Sequence, residues 1–295
     1  MTLGAAMHGA LVQPFIEFGF MRRALVACLA LGLSCGPLGT LLVLRRMSLM
    51  GDAMSHALLP GAAVAFIVVG LSLPAMSLGA FVAALAVAAL AGGVTRWTAQ
   101  REDASFAAFY LMALAAGVML ISLYGNSVDL MRVLFGSVLA VDDAALLLVA
   151  GVSTATLLAL AIVYRPLLVE CFDPGFLRAV GGRGAWHHQI FLVLVVANLV
   201  AGFQALGTLM AVGLLMLPAI AARFWVHDVG RLSALAGALA ACSGYVGLLL
   251  SYHAALPSGP SIVMVAGLLY LFSLCVGTRD SLRSRFAQRL HHRAA

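Results

Sequence analysis

The sequence predicts an all-α polytopic membrane protein with about eight or nine transmembrane helices. Three observations lead to this prediction: 63% of the 295 residues are hydrophobic, 9% are charged, and the mean hydropathy is +1.08. A soluble domain has about 25% charged residues, so this chain lacks the polar surface that water requires. At about 20 residues per span, we expect one transmembrane domain over residues 1–295, with a short N-terminal segment (1–20) and an arginine-rich tail (279–295).

Apolar runs separated by charged residues locate the individual helices. The predicted spans are Ala24–Leu44, Met47–Val69, Ala75–Val94, Ser105–Tyr124, Ala144–Val163, Leu232–Tyr252 and Ile262–Val276, and Met131–Leu139 is a candidate re-entrant piece. The apolar run 190–222 is long for one span and short for two. Gln204 and Gly207 lie near its middle, which favours two short helices that meet at a break, as in helices that line a transport pathway.

Charge distribution predicts the orientation. The tail carries five arginines against one acid, Asp280, so we expect the C-terminus on the cytoplasmic side of a plasma membrane. Counting back puts the loops at 45–46, 95–104, 164–189 and 223–231 inside if 190–222 crosses twice. The N-terminus then lies outside, with Arg22 and Arg23 as exceptions. The net charge of +6 fits this topology, and we expect no nucleic-acid partner.

Asp52 and His56 are the acid and the histidine that lie clearly inside the predicted spans, four residues apart. Ionisable residues at membrane depth cost about 2.5–3.5 kcal/mol on insertion scales and mark functional pathways. At a rise of about 1.5 Å per residue, His56 lies about 15 Å from Arg46. That depth is close to the midplane of a bilayer core about 30 Å thick.

The spacing of four puts both side chains on one helical face. A polar stripe about 100° wide contains Ser48, Asp52, Ser55 and His56. The methionines on the opposite side are expected to pack inside the protein: Met47, Met50 and Met54. Pro60 lacks an N–H group, so the carbonyl of His56 loses its helical partner. Such irregular backbone is tolerated where it lines a cavity or is buried in protein.

A carboxylate and an imidazole suit manganese, iron or zinc better than an organic solute. An internal Asp–His hydrogen bond that holds helices together is one alternative, and a proton relay is another. The sequence has no HExxH and no CxxC motif, and its GxSxG match, Gly32-Leu-Ser-Cys-Gly36, lies inside an apolar predicted span and not at a strand-to-helix turn. We therefore expect neither catalytic residues nor a cysteine metal site. It also lacks GxxxxGK[ST] and any lysine, so an ATPase would be a separate polypeptide.

The stretch Arg45-Arg-Met-Ser-Leu-Met-Gly-Asp-Ala-Met-Ser-His-Ala-Leu-Leu-Pro-Gly61 resembles the signature of the permease subunits of metal-ion ABC importers, the zinc, manganese and iron uptake class. Three further stretches are similar to that family: Leu134-Phe-Gly-Ser-Val-Leu139, Gly213-Leu-Leu-Met-Leu-Pro-Ala-Ile-Ala-Ala-Arg223 and Leu256-Pro-Ser-Gly-Pro-Ser-Ile-Val263. The resemblance runs from about Phe20 to Val276.

The resemblance implies a membrane subunit that pairs with a second copy of itself. Two cytoplasmic ATPase subunits would drive it, and an external metal-binding protein would supply the ion. The intramembrane Asp and His of the family match Asp52 and His56. Four residues would support the same pathway helix: Ser48, Ser55, Pro60 and Gly61. Many members carry an acid just before Leu-Pro-Ser-Gly-Pro, where this chain has Ala254-Ala255, so we expect no acidic metal ligand there.

The family's ATPase-contacting segment matches Asp173-Pro-Gly-Phe-Leu-Arg-Ala-Val-Gly-Gly182. The residues themselves also predict a short cytoplasmic helix, because Asp173 can cap it, Pro174 suits its first position and the two glycines end it. Its expected ATPase-coupling residues are Asp173, Phe176, Leu177, Ala179 and Gly181. An ordinary amphipathic loop helix is the alternative.

The sequence therefore favours the permease subunit of an ATP-driven importer for zinc or manganese, with iron also compatible, and no permanently bound cofactor. A secondary proton-coupled cation transporter that uses Asp52 and His56 is the main alternative, and an intramembrane hydrolase is a weaker one. Two ligands are few for a divalent cation, which takes four to six. A two-fold axis between two copies would double the set. The alternative is a separate path in each protomer, with ligands added from Gln204 or Ser251.

Overall fold

The computed structural model describes residues 11–70, 72–100, 102–124, 141–173 and 184–283, and within these residues it contains helices and no strands. The helices are α1 (Gln13–Glu17), α2 (Gly19–Leu44), α3 (Ser48–Ala57), α4 (Leu59–Val69), α5 (Leu73–Trp97), α6 (Glu102–Tyr124), α7 (Asp143–Phe172), α8 (Gly184–Leu206), α9 (Thr208–Arg223), α10 (Val229–Ala254) and α11 (Ser258–Val276). With α3 and α4 taken as one span, eight candidate membrane spans are found there, and α9 is a shorter apolar helix. The predicted all-α polytopic fold is confirmed.

Capping residues explain several helix starts. The Asp142 carboxylate accepts a hydrogen bond of 2.7 Å from the N–H of Ala145 at the start of α7. Asp228 caps α10 in the same way through the N–H of Arg231. Proline lies in the first turn of α4 and of α5, where its missing N–H costs nothing.

The polar stretch 164–189, predicted as a connection, is helical at both ends. α7 has 30 residues and continues to Phe172, and α8 begins at Gly184. A helix of this length extends about 45 Å, which exceeds the roughly 30 Å of the bilayer core. Its polar end, which includes Glu170, can therefore lie beyond the hydrocarbon while remaining helical.

The predicted break in the run 190–222 is confirmed. Gly207 separates α8 from α9 with a φ of 94°, a backbone conformation that glycine adopts without steric cost. The start of α8 and the end of α9 lie at the same end of the protein. His188 at the start of α8 contacts Arg45, and Arg223 at the end of α9 lines a cavity with Arg46.

The two ends of the helical bundle are named here by one residue each. The Arg45 end holds the end of α2, the start of α3, the end of α7 and the start of α8. At the Asp143 end, Arg23 of α2 lies 3.5 Å from the Asp143 carboxylate. This ion pair gives a reason why Arg23 departs from the predicted charge asymmetry.

α2 lies at the centre of the bundle and packs against α7, α8, α9 and α10. Small residues allow these close approaches, as is common between membrane helices. A Cβ atom at Gly36 would lie 2.6 Å from the backbone nitrogen of Gly237, and one at Gly39 would collide with the carbonyl of Leu215. α3 and α4, by contrast, lie towards one side of the protomer, against α5 and α6.

Candidate functional site

Asp52 and His56 lie on the face of α3 that the rest of the protomer leaves uncovered. Their side chains are 58% and 39% exposed, respectively. The opposite face of α3 is buried and carries the methionines, as predicted; Met50 and Met54 are both in the core. The packing of α3 therefore directs its ionisable residues away from the interior of the protomer.

The two side chains do not satisfy each other. His56 Nε2 and Asp52 Oδ1 are 3.7 Å apart, beyond the 2.7–3.2 Å of an N–H···O hydrogen bond. The predicted alternative, an internal Asp–His hydrogen bond that holds helices together, is thus not formed. The imidazole instead lies beside the ring of Tyr110 on α6, with centroids 6.1 Å apart and planes inclined by 24°.

Of the two serines in the predicted stripe, Ser48 is exposed and Ser55 is buried. Ser55 is 2% exposed, and its hydroxyl donates to the carbonyl of Asp52 at 2.7 Å. The predicted polar stripe is therefore only partly open, because Ser55 is buried in the protomer. Viewed along the axis of α3, at about 100° per residue, Ser55 lies on one side of Asp52. Leu49 and His56 lie on the other side, and the open face is centred there.

Pro60 and Gly61 define the helix break that follows His56. The helix is interrupted at Leu58, and Pro60 lies in the first turn of α4. A Cβ atom at Gly61 would collide with the carbonyl of Gly79 on α5, and one at Gly117 on α6 would lie 3.0 Å from the Pro60 nitrogen. Neighbouring helices therefore hold the irregular backbone, as expected for a break at membrane depth.

A cavity of about 120 Å³ separates α3 from α6 beside Asp52. Asp103, Phe106 and Tyr110 of α6 line it, together with Leu49 and Asp52 of α3. Sequence reasoning placed Asp103 in a loop and gave Tyr110 no role. Hydropathy shows that α6 spans the membrane but carries no information on which helix it packs against.

One protomer presents an incomplete metal site. Among the described residues, no three His, Cys, Asp or Glu side chains group closely enough to hold a metal ion. Asp52 and His56 offer one carboxylate and one imidazole, whereas divalent cations take four to six ligands. A metal ion at this pair would take its further ligands from water, from backbone or from other side chains, including those of a second chain.

The remaining predicted residues lie elsewhere. Asp173 follows the end of α7, where its N–H donates to the carbonyl of Val169 at 2.8 Å. Phe176, Leu177, Ala179 and Gly181 are outside the described residues, as is the candidate re-entrant piece Met131–Leu139. Gln204 Nε2 on α8 is buried without a hydrogen-bond partner. The Ser251 hydroxyl donates to the carbonyl of Leu256 in the connection between α10 and α11.

A second polar cluster inside the spans was not predicted. Asn198 of α8 accepts a hydrogen bond of 2.6 Å from the Ser34 hydroxyl on α2. Its amide donates to the Thr156 hydroxyl of α7 at 2.7 Å and to the Leu194 carbonyl at 2.8 Å. Ser34 also lies 3.2 Å from the Ser153 hydroxyl. All four polar side chains are buried. The only sequence signal was one asparagine in an apolar run.

Comparisons with a family model and with individual protein sequences both indicate a membrane component of a transport system. Residues 17–277 match the model of the ABC 3 transport family. The chain is 32% identical to the manganese import system permease protein ScaB of Streptococcus parasanguinis, over 90% of this chain and 93% of that protein. It is 30% identical to the chelated iron transport system membrane protein YfeD of Yersinia pestis, over 92% and 90%.

A solved structure is similar over nearly the same length. The structure of PsaBC from Streptococcus pneumoniae in complex with Fab superposes with a TM-score of 0.81 at 30% identity. The match covers 94% of this chain and 97% of the other. The helical arrangement described above therefore recurs in a solved structure.

Proposed function

The chain belongs to the ABC 3 transport family, and from this premise we propose that it is the permease subunit of an ATP-driven importer for a divalent transition metal ion. Manganese is the first candidate, with zinc and iron as alternatives. The observation that carries the proposal is the Asp52–His56 pair, whose side chains are partly exposed on α3 and too far apart for a hydrogen bond to each other. Relatives named for manganese and for iron transport support this range of metals.

The proposed assembly contains two copies of the chain related by a two-fold axis. An acid and an imidazole cannot face lipid without a large cost, so a protein surface should cover the open face of α3. A second α3 face would bring two carboxylates and two imidazoles to one ion, because an isologous interface repeats the same patch. Such a site need not bind tightly, since conduction requires the ion to leave.

The Arg45 end would face the cytoplasm of the bacterial cell. Arginines at this end include Arg45, Arg46, Arg223, Arg231 and Arg279, which satisfies the positive-inside rule. This orientation puts the end of α7 and the start of α8 on the side where two ATPase subunits would dock. The Asp143 end would then receive the ion from an external metal-binding protein. No residue of this chain is assigned a catalytic role, and ATP hydrolysis belongs to the partner subunits.

The function is tested by Mn²⁺ uptake into liposomes that contain this chain and its ATPase subunit, with the metal-binding protein and Mn²⁺ outside and with ATP either inside or outside the vesicle. We expect uptake that requires ATP on the face carrying the ATPase and no uptake with a non-hydrolysable ATP analogue. Zn²⁺ and Fe²⁺ as competitors would rank the three metals. Uptake driven by a proton gradient without ATP would overturn the proposal and favour the secondary transporter.

A further inference from the structure

A buried charged cluster lies at the Arg45 end, apart from the metal pair on α3. The guanidinium of Arg45 lies 3.3 Å from the carboxylate of Glu170, and the two side chains are 8% and 11% exposed. Arg45 Nε donates to Cys171 Sγ at 3.0 Å, and Nη1 lies 2.7 Å from His188 Nδ1. The guanidinium carbon is 4.8 Å from the centre of the Phe191 ring.

The chemistry of the cluster fixes the role of each member. Arginine has only donors, so Nδ1 of His188 must accept and its Nε2 carries the ring proton. Arg45 Nη2 and Glu170 Oε2 make no hydrogen bond, so their ion pair offsets the burial of both charges. Removing one partner would leave an uncompensated buried charge, which is far more costly than removing both.

The cluster connects three chain segments at one point. Glu170 and Cys171 are in the last turn of α7, and His188 is in the second turn of α8. These helices flank residues 173–183, the segment that the sequence matches to ATPase contact. Arg45 itself follows the last residue of α2 and lies three residues before Ser48, the first residue of α3.

The corner between α2 and α3 is tight. Arg46 adopts a left-handed φ of 58°, and the N–H of Met47 donates back to the carbonyl of Leu42 at 3.0 Å. A displacement of Arg45 would therefore also displace the start of α3. Asp52 and His56 lie one and two turns further along the same helix.

We propose that Arg45 is a positioning residue that couples movement of the ATPase-contacting segment to the metal-binding face of α3. This inference rests on the proposed function. When the ends of α7 and α8 shift together, Glu170 and His188 draw the guanidinium with them. The tight corner then moves α3 relative to α6, and with it the two metal ligands.

The test removes both charges at once, so that no buried charge is left unpaired. The double variant Arg45→Met/Glu170→Met is reconstituted with the ATPase subunit, and Mn²⁺ uptake from the metal-binding protein and ATP hydrolysis are measured in the same vesicles. The matched control is Arg23→Met/Asp143→Met, which removes the more exposed ion pair at the opposite end. A second variant, Arg45→Lys, keeps the charge but loses the planar fork that contacts several partners.

We expect the double variant to assemble and to hydrolyse ATP, while Mn²⁺ transported per ATP falls by about tenfold or more. Arg45→Lys should show a smaller loss, and the control pair should keep the wild-type ratio. An unchanged ratio in the double variant would overturn the proposal. Loss of assembly in both Arg45 variants would also overturn it, because the cluster would then serve folding alone. Failure of the unmodified complex to take up Mn²⁺ would instead refute the proposed function.

Discussion

Among the described residues, the Asn198 cluster and the Asp52–His56 pair both lie within membrane-spanning helices, and they are built in opposite ways. Asn198 is 1% exposed, and its amide makes hydrogen bonds to Ser34, to Thr156 and to a backbone carbonyl. Asp52 and His56 are half-exposed, and their mutual contact is too long for a hydrogen bond. The first group is complete within one protomer, whereas the second is open.

Under the proposed function, the difference separates a structural polar group from one that handles the ion. In lipid, an unsatisfied polar group is costly, so a group that serves packing should close its hydrogen bonds internally. The Asn198 cluster does so across α2, α7 and α8. The pair on α3 does not, although Ser55 and the backbone break next to it are both held by neighbouring residues. An open acid and imidazole on a well-packed helix are the expected form of a transient ion site.

The largest expected effect is loss of transport when the open pair is changed. Asp52→Asn or His56→Gln should lower Mn²⁺ uptake by about a hundredfold or more, because each removes one of the few ligands that replace the ion's hydration shell. Amounts of folded protein in the membrane should change little, since both side chains are partly exposed and neither makes a hydrogen bond to the other. Uptake per folded protein, measured in vesicles, checks this prediction.

Asp143→Asn is the matched control, since it makes the same chemical change at an exposed ion pair. Surface pairs contribute about 0–1 kcal/mol to stability, so this variant should transport normally. Normal uptake in Asp52→Asn would contradict the assignment of the Asp52–His56 pair to transport and of the Asn198 cluster to structure.

The second prediction concerns the closed cluster. Asn198→Leu should lower the free energy of unfolding by about 1–3 kcal/mol, because Ser34 and Thr156 lose a buried partner. The metal concentration for half-maximal uptake should stay the same in the folded fraction. Thermal unfolding in detergent and uptake per folded protein give the two measurements. A normal melting temperature together with lost uptake would assign Asn198 to the pathway instead.

The features that could be predicted from the sequence are those that follow from the cost of placing polar groups in lipid. Spans, the break at Gly207 and the Asp52–His56 pair follow from hydropathy, from backbone chemistry and from the cost of burying charge. Packing partners do not follow from these rules. The buried side of Ser55 depends on which arc of α3 meets its neighbours, and the stacking of Tyr110 depends on α6. The Arg45 cluster was missed because α7 and α8 extend beyond their apolar runs.

The third prediction tests which side of α3 meets a second copy. Leu49 is exposed beside Asp52, so Leu49→Cys should form an oxidative cross-link between two copies in the membrane. Ser55→Cys should not, because position 55 is buried in the protomer. Non-reducing electrophoresis after mild oxidation distinguishes the two. A cross-link at 55 but not at 49 would mean that the other edge of α3 faces the partner.

The smallest expected effect concerns the ring beside His56. Tyr110→Leu removes an aromatic contact worth about 0.5–1.5 kcal/mol, so the metal concentration for half-maximal uptake should rise by about two- to tenfold. Tyr110→Phe keeps the ring and should restore the wild-type value. If both variants behave like the wild type, Tyr110 does not position the imidazole.

The central claim is that two open α3 faces form one ion site. Equilibrium binding of Mn²⁺ to the purified, assembled protein measures the number of ions per chain. The account predicts one ion for every two chains, with binding lost in Asp52→Asn and kept in Asp143→Asn. One ion per chain, bound with both Asp52 and His56 required, would contradict a shared site and indicate a separate path through each protomer.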